Sequence, residues 1–208
     1  MADLEDRIVA ALEVVVCSGL PTQVVIGGLL AAAGVGAYDR QGRLAVEFVV
    51  AATLLDTAAI LGLVGGFLRM HGEHPREVLL GRRSLAGESW LGILQIPFVF
   101  LLAATSLALV QRFAPWLHNV ARNPLEGLIG SGAQAWVFTT VAVVGGGLRE
   151  EVQRAFVLHR FRQRLGGAWL GLTLFTAAFG LGHVVLGRDA ALTVALMGLF
   201  WGVVYLRR

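Results

Sequence analysis

A chain of 208 residues that is 56% hydrophobic, with mean hydropathy +0.72, is too apolar for an ordinary soluble domain. Its 17 basic residues are all Arg, scattered over polar turns, and the net charge is only +3, a pattern that membrane topology explains better than a nucleic-acid partner. The single cysteine, Cys17, excludes an internal disulfide and a cysteine-based zinc site.

The apolar residues fall in blocks of about 20, the length needed to cross a bilayer, and the short alternating strands of a transmembrane barrel are absent. The expectation is an all-α polytopic membrane bundle of about six crossing segments, forming one domain over residues 1–208. The acidic start, Met1 to Arg7, lacks the basic region of a cleaved signal peptide. Segment one spans about Ile8 to Gly36 and is interrupted by Pro21. It reads either as an interfacial helix followed by a crossing or as one kinked crossing. Tyr38–Arg43 is a polar turn. Segment two, about Leu44 to Leu68, carries Glu47 at the interface and Asp56 deeper, where a polar contact between helices or a place in an active cavity would satisfy it.

The main polar loop runs from Arg69 to Glu88. Its His71 and His74 read as solvated, because Gly72 and Pro75 disfavour a regular helical metal-binding pair. Segment three covers Trp90 to Val110 with Pro97 near its start, and Gln111 to Gly132, with Trp116, suits a stretch lying at the interface. Segment four begins near Ala133, and its apolar run ends at Leu148. From Ala133 to Glu150 is 17 residues, roughly 25 Å of helix against a hydrocarbon core of about 30 Å, so Glu150 and Glu151 sit at membrane depth. An Arg-rich extension with His159 follows, up to Gly166–Gly167. Segment five, Ala168 to Leu186, contains His183. After a turn at Arg188–Asp189, segment six runs from Ala190 to Leu206 and includes Gly198 and Gly202 at the spacing that permits close helix packing. Under the positive-inside rule, counting Arg7, Arg69, Arg76, Arg82, Arg83, Arg160, Arg162, Arg164, Arg207 and Arg208 on one side places that side, with the N-terminus, in the cytoplasm.

If Gly166–Gly167 turns a helical hairpin, Glu150 lies 16 residues before the turn and His183 lies 16 after it, at one height on neighbouring helices. Glu150 and Arg154 are four apart and share a face, while Glu151 is rotated by about 100°. A carboxylate beside an Arg can take a proton from water; an opposing histidine could orient that water, ligate a metal or stabilise an oxyanion. The same groups could equally form a helix salt bridge and a core histidine bonded to a backbone carbonyl.

The Glu150–Glu151 pair followed by Arg154-Ala155-Phe156, with Phe179-x-x-x-His183 on the next helix, resembles the CPBP family of intramembrane proteases, which includes the type II CAAX prenyl proteases and bacteriocin-processing proteins. Phe179 and His183 match the second family motif unchanged. In the first motif Arg154 follows Glu151 by three residues rather than four, so either Glu can occupy the base position; Glu150 is preferred for its shared face with Arg154. The segment around Gly198, Phe200 and Gly202 matches a third motif loosely. The final His-x-x-x-Asn motif does not occur before Arg208, and the domain reads as incomplete at its C-terminus.

The resemblance covers about Ala133 to Arg208 and implies an intramembrane endopeptidase of CAAX prenyl protease type. Glu150, Glu151, Arg154 and His183 would be its catalytic residues. A divalent metal such as zinc, held by His183 and Glu150, is one implied arrangement. The implied partners are the lipid bilayer and a peptide or protein substrate, and the composition suggests a bacterial plasma membrane. The alternatives from the residues are a partner-binding or immunity protein on the same scaffold, and a small transporter relaying protons through Asp56, Glu150 and His183.

Overall fold

The computed structural model describes residues 3–81, 84–121 and 123–207. Arg82, Arg83 and Arg208, which enter the topology count, lie outside them, as does Arg122. The fold is all-α, as expected: α1 (Leu4–Val16), α2 (Leu20–Ala32), α3 (Val46–Met70), α4 (Pro75–Leu79), α5 (Leu85–Phe113), α6 (Gly132–Ala142), α7 (Glu150–Arg164), α8 (Ala168–Gly182) and α9 (Arg188–Leu206). A π-helical stretch, Val143–Arg149, joins α6 to α7 without a break. The only β pairing among the described residues is an isolated bridge between Tyr38 and Leu44.

Among the described residues, three helices, α3, α5 and α9, are long and apolar enough to cross a membrane, or four crossings if the bent pair α1–α2 counts as one. That is fewer than the six expected. Segment four loses its apolar character at Arg149–Glu151, and the apolar helix of segment five stops after 15 residues at Gly182, short of a full crossing. Segment one is broken at Cys17–Gly19, with a 43° bend, and Pro21 sits in the first turn of α2, where its missing N–H costs nothing. Ser84 caps α5 by accepting from the Gly87 N–H at 3.2 Å. The helix therefore starts earlier than the apolar pattern suggests, and Pro97 falls in its interior. Likewise Arg188 and Asp189 are the first turn of α9 rather than a separate turn.

The most polar helix is also the most enclosed. In α7, residues Val152 to Leu158, Arg160 and Phe161 are all buried. The apolar core, Cys17, Ile60, Val64, Leu68, Val152 and Phe156, joins the α1–α2 break to α3 and α7. Large apolar side chains elsewhere face outward: Val24, Phe98, Phe100 and Trp136 are exposed. An exposed apolar exterior around a partly polar interior is what a lipid solvent selects.

The hairpin expected at Gly166–Gly167 forms. Both glycines have positive φ (99° and 104°), and the Gly167 N–H closes the turn onto the Phe161 carbonyl at 2.9 Å. The spaced glycines of α9 also act as expected. A Cβ on Gly198 would stand 2.9 Å from the Phe179 ring, and one on Gly202 would overlap Leu172. Their bare backbones let α8 and α9 approach closely and seat Phe179.

Candidate active site

Arg154 is the anchor of the site. It is fully buried, yet it forms an ion pair with Glu151, whose side chain is 48% exposed. Three aromatic rings close around the guanidinium, with Cζ 5.5 Å from the Phe175 centroid, 5.8 Å from Phe179 and 5.7 Å from Trp201. Cation–π attraction offsets part of the desolvation of a charge placed there. The Nε and Nη2 of Arg154 have no hydrogen-bond partner among the described residues, so Glu151 is the carboxylate that this guanidinium engages.

Glu150 does not take the i,i+4 partnership expected of it. It is half-buried and makes no hydrogen bond or ion pair among the described residues; the three-residue spacing to Glu151 is the one used. The π stretch before α7 rotates the helix face relative to a continuous α-helix, so side-chain directions counted from α6 do not carry over into α7.

His183 ends α8. Its Nδ1 donates to the Phe179 carbonyl at 2.8 Å, and its ring meets the Phe179 ring edge-on at 4.8 Å. Nδ1 is thereby committed as a donor, and Nε2 is the ring nitrogen left for another partner. Phe179 thus links the two motifs, touching Arg154 on one side and His183 on the other. No hydrogen bond or ion pair joins His183 to Glu150 or Glu151 among the described residues. Nor does any group of three or more His, Cys, Asp or Glu side chains converge there to hold a metal ion. The zinc arrangement on His183 and Glu150 needs at least three protein donors, and this donor set does not fit it.

Glu151 lies on the wall of a large cleft of about 1640 Å³. Its lining includes Ile96 and Phe100 of α5, Ala142 of α6, Gly146 and Gly147 of the π stretch, and Trp201 of α9. The site is braced from behind. Arg149 is buried with Nε 2.7 Å from Asp56 Oδ2; Thr22 donates to the same carboxylate, and Gln23 reaches it at 3.4 Å. Asp56 is therefore a structural contact between helices, one of the two roles expected of it. Gly19 makes room for Arg149: its φ is +86°, and a Cβ there would overlap the guanidinium.

A second polar cluster was not foreseen. Arg160, buried at the centre of it, donates from Nε to Glu13 at 2.5 Å and from Nη1 to Glu73 at 2.5 Å. His71 binds Glu13 at 2.7 Å, His159 binds Glu73 at 2.7 Å, and Gln163 donates to Glu73 at 2.7 Å. His71 is thus not merely solvated, and His159, in the Arg-rich extension, is held by Glu73. Burial alone would raise the Glu73 carboxyl, but the His159, Arg160 and Gln163 bonds outweigh it and hold it at about 2. At the far end of the α8–α9 turn, His118 Nδ1 lies 2.6 Å from Asp189 Oδ2, pinning the Trp116 segment to α9. Only the oddity of Glu13 in an apolar run could have signalled any of this from sequence.

No curated protein and no solved structure matches the chain. A family model does: residues 132–208, which hold all four candidate residues, match the Rce1-like type II CAAX prenyl endopeptidases, bearing out the resemblance drawn from the motifs.

Proposed function

We propose that this integral membrane protein is an intramembrane endopeptidase that hydrolyses a peptide bond with glutamate-activated water. The observation that carries the reading is Glu151: a carboxylate paired to a fully buried Arg154, yet half-exposed on the wall of a cleft large enough for substrate. The family match supplies the reaction class.

In this reading Arg154 orients Glu151, so the carboxylate can accept a proton from a cleft water as that water's oxygen attacks the scissile carbonyl carbon. The same proton then passes to the departing amine as the C–N bond breaks. His183, with Nδ1 committed to the Phe179 carbonyl, fixes the Phe179 ring that packs on Arg154 and leaves Nε2 able to accept a hydrogen bond. Glu150, half-buried one position earlier, sets the local field rather than acting as base. No step runs through a metal. The Arg distribution supports an orientation with the N-terminus in the cytoplasm, and the Arg-only, Gly-rich composition supports a bacterial source.

The test is cleavage of a membrane-anchored reporter by the purified protein in liposomes. Glu151→Gln should reduce the rate by at least about 100-fold, the scale of a lost general base, and Glu150→Gln by much less. Equal loss in both variants would refute the assignment of the base; full activity in Glu151→Gln would remove the site.

A further inference from the structure

Helix α5 is buried along only half its length. Its buried residues, Ser106 and Val110, both lie beyond Pro97, and from Leu85 to Ile96 none is buried. Just past the end of α5 the chain meets the start of α9. His118 Nδ1 lies 2.6 Å from Asp189 Oδ2, and the Asn119 side chain accepts from the Arg188 N–H at 2.8 Å. The two helices therefore pack antiparallel and are joined at that end. At the other end they part: Gly92, Gln95 and Ile96 of α5 line the cleft, and so do Trp201, Val204 and Leu206 of α9.

Pro97 sits where the burial of α5 stops. It has no N–H to give the Ile93 carbonyl, and its ring crowds that carbonyl, so the backbone ladder of α5 is weakest there. Sharp helix bends concentrate at such prolines. The unburied half, Leu85–Ile96, amounts to about 18 Å of helix. One face of it already looks inward, since Leu91, Gln95 and Val99, four residues apart, are half-buried while Trp90, Ile93 and Leu94 are exposed. The cleft lining also includes Ala142, Gly146 and Gly147, small groups that leave an approaching helix room.

We infer that Leu85–Ile96 is a hinged lid, which swings about Pro97 and closes the cleft on whose wall Glu151 stands. Shut, it excludes lipid chains and bulk water from the carboxylate. The lid goes beyond the proteolytic reading and does not rest on it.

The test is the distance between two spin labels in the full-length protein in liposomes, measured by pulsed electron paramagnetic resonance. Ala86→Cys and Leu206→Cys place one label near the tip of the lid and the other at the cleft-lining end of α9. Leu109→Cys and Leu192→Cys, both at exposed positions, place a reference pair on the joined halves. Cys17 is buried and takes no label. Ala86 is about 16 Å along the helix from Pro97, so a swing of about 25° moves it by about 7 Å. Two Ala86–Leu206 distances about 7 Å apart are expected while Pro97 is present, and one in Pro97→Ala, whose helix regains the missing bond. The Leu109–Leu192 distance should be single and the same in both, which also shows that Pro97→Ala folds. A single Ala86–Leu206 distance with Pro97 in place would overturn the inference. So would two distances that persist in Pro97→Ala, or a Leu109–Leu192 distance that splits in step, since α5 would then move as one body.

Discussion

Replacing Arg160 by Met tests how the most polar helix can be the most buried. The side chain is 3% exposed and bridges two carboxylates, one of them, Glu13, only 5% exposed. Met keeps the stem that packs over Phe156, where the guanidinium carbon sits 4.8 Å from the ring centroid, so the change isolates the charge. Glu73 would retain His159 and Gln163, but Glu13 would retain only His71. Stranding one buried partner of an ion pair costs about 3–5 kcal/mol, and that is the expected loss. Removing the stranded charge as well, in Glu13→Leu with Arg160→Met, should recover more than half of it, because a buried pair replaced whole by apolar groups is often neutral. The assay is reversible unfolding in mixed micelles, followed by circular dichroism, with both single variants and the double. A loss below about 1 kcal/mol, the worth of a surface pair, would refute the reasoning, as would a double variant no better than the sum of the singles.

The Glu73 carboxyl gives a pH test of the same cluster. Its folded value of about 2 lies below its ordinary 4.5, so its contribution is complete above 4.5 and is lost as pH falls toward 2. In Arg160→Met the acid limb of the stability profile should still begin near 4.5 but be smaller and end at higher pH; an unchanged limb would contradict the assignment. Gly202→Val should overpack α8 against α9 and cost about 1–3 kcal/mol in the same unfolding assay, because its Cβ meets Leu172. Gly19→Ala combines a positive φ with overlap of Arg149 and should cost more than about 1 kcal/mol, whereas Gly27→Ala, open on all sides, should not. Trp201→Ala should uncover Arg154 toward the cleft, lowering reporter cleavage and shifting its pH profile, while Trp201→Phe should restore both.

Much of this was legible in the sequence because bilayer chemistry writes in long apolar blocks. The helical class, the Gly166–Gly167 hairpin and the close α8–α9 packing at Gly198 and Gly202 all follow from local rules of length and glycine placement. The spatial partners of the charges did not follow from those rules. Arg154 binds Glu151, three residues back, rather than Glu150, four back, and both spacings place a carboxylate within reach on one helix, so the pattern alone does not choose between them. The Glu13–Arg160–Glu73 cluster joins residues 147 and 87 positions apart, and pairing at that range leaves no periodic trace. The count of crossings was too high for a related reason. A hydrophobic block can be an apolar half-helix of a bent or charge-interrupted segment, and block length alone does not tell them apart.

The most direct test of the central claim is cleavage of one membrane-anchored reporter in liposomes by wild-type protein and by the Glu151→Gln and Arg154→Met variants. The account predicts robust cleavage by wild type, loss of about 100-fold or more in Glu151→Gln, and a large loss in Arg154→Met in protein that still folds. Cleavage by folded Glu151→Gln protein at the wild-type rate would contradict it.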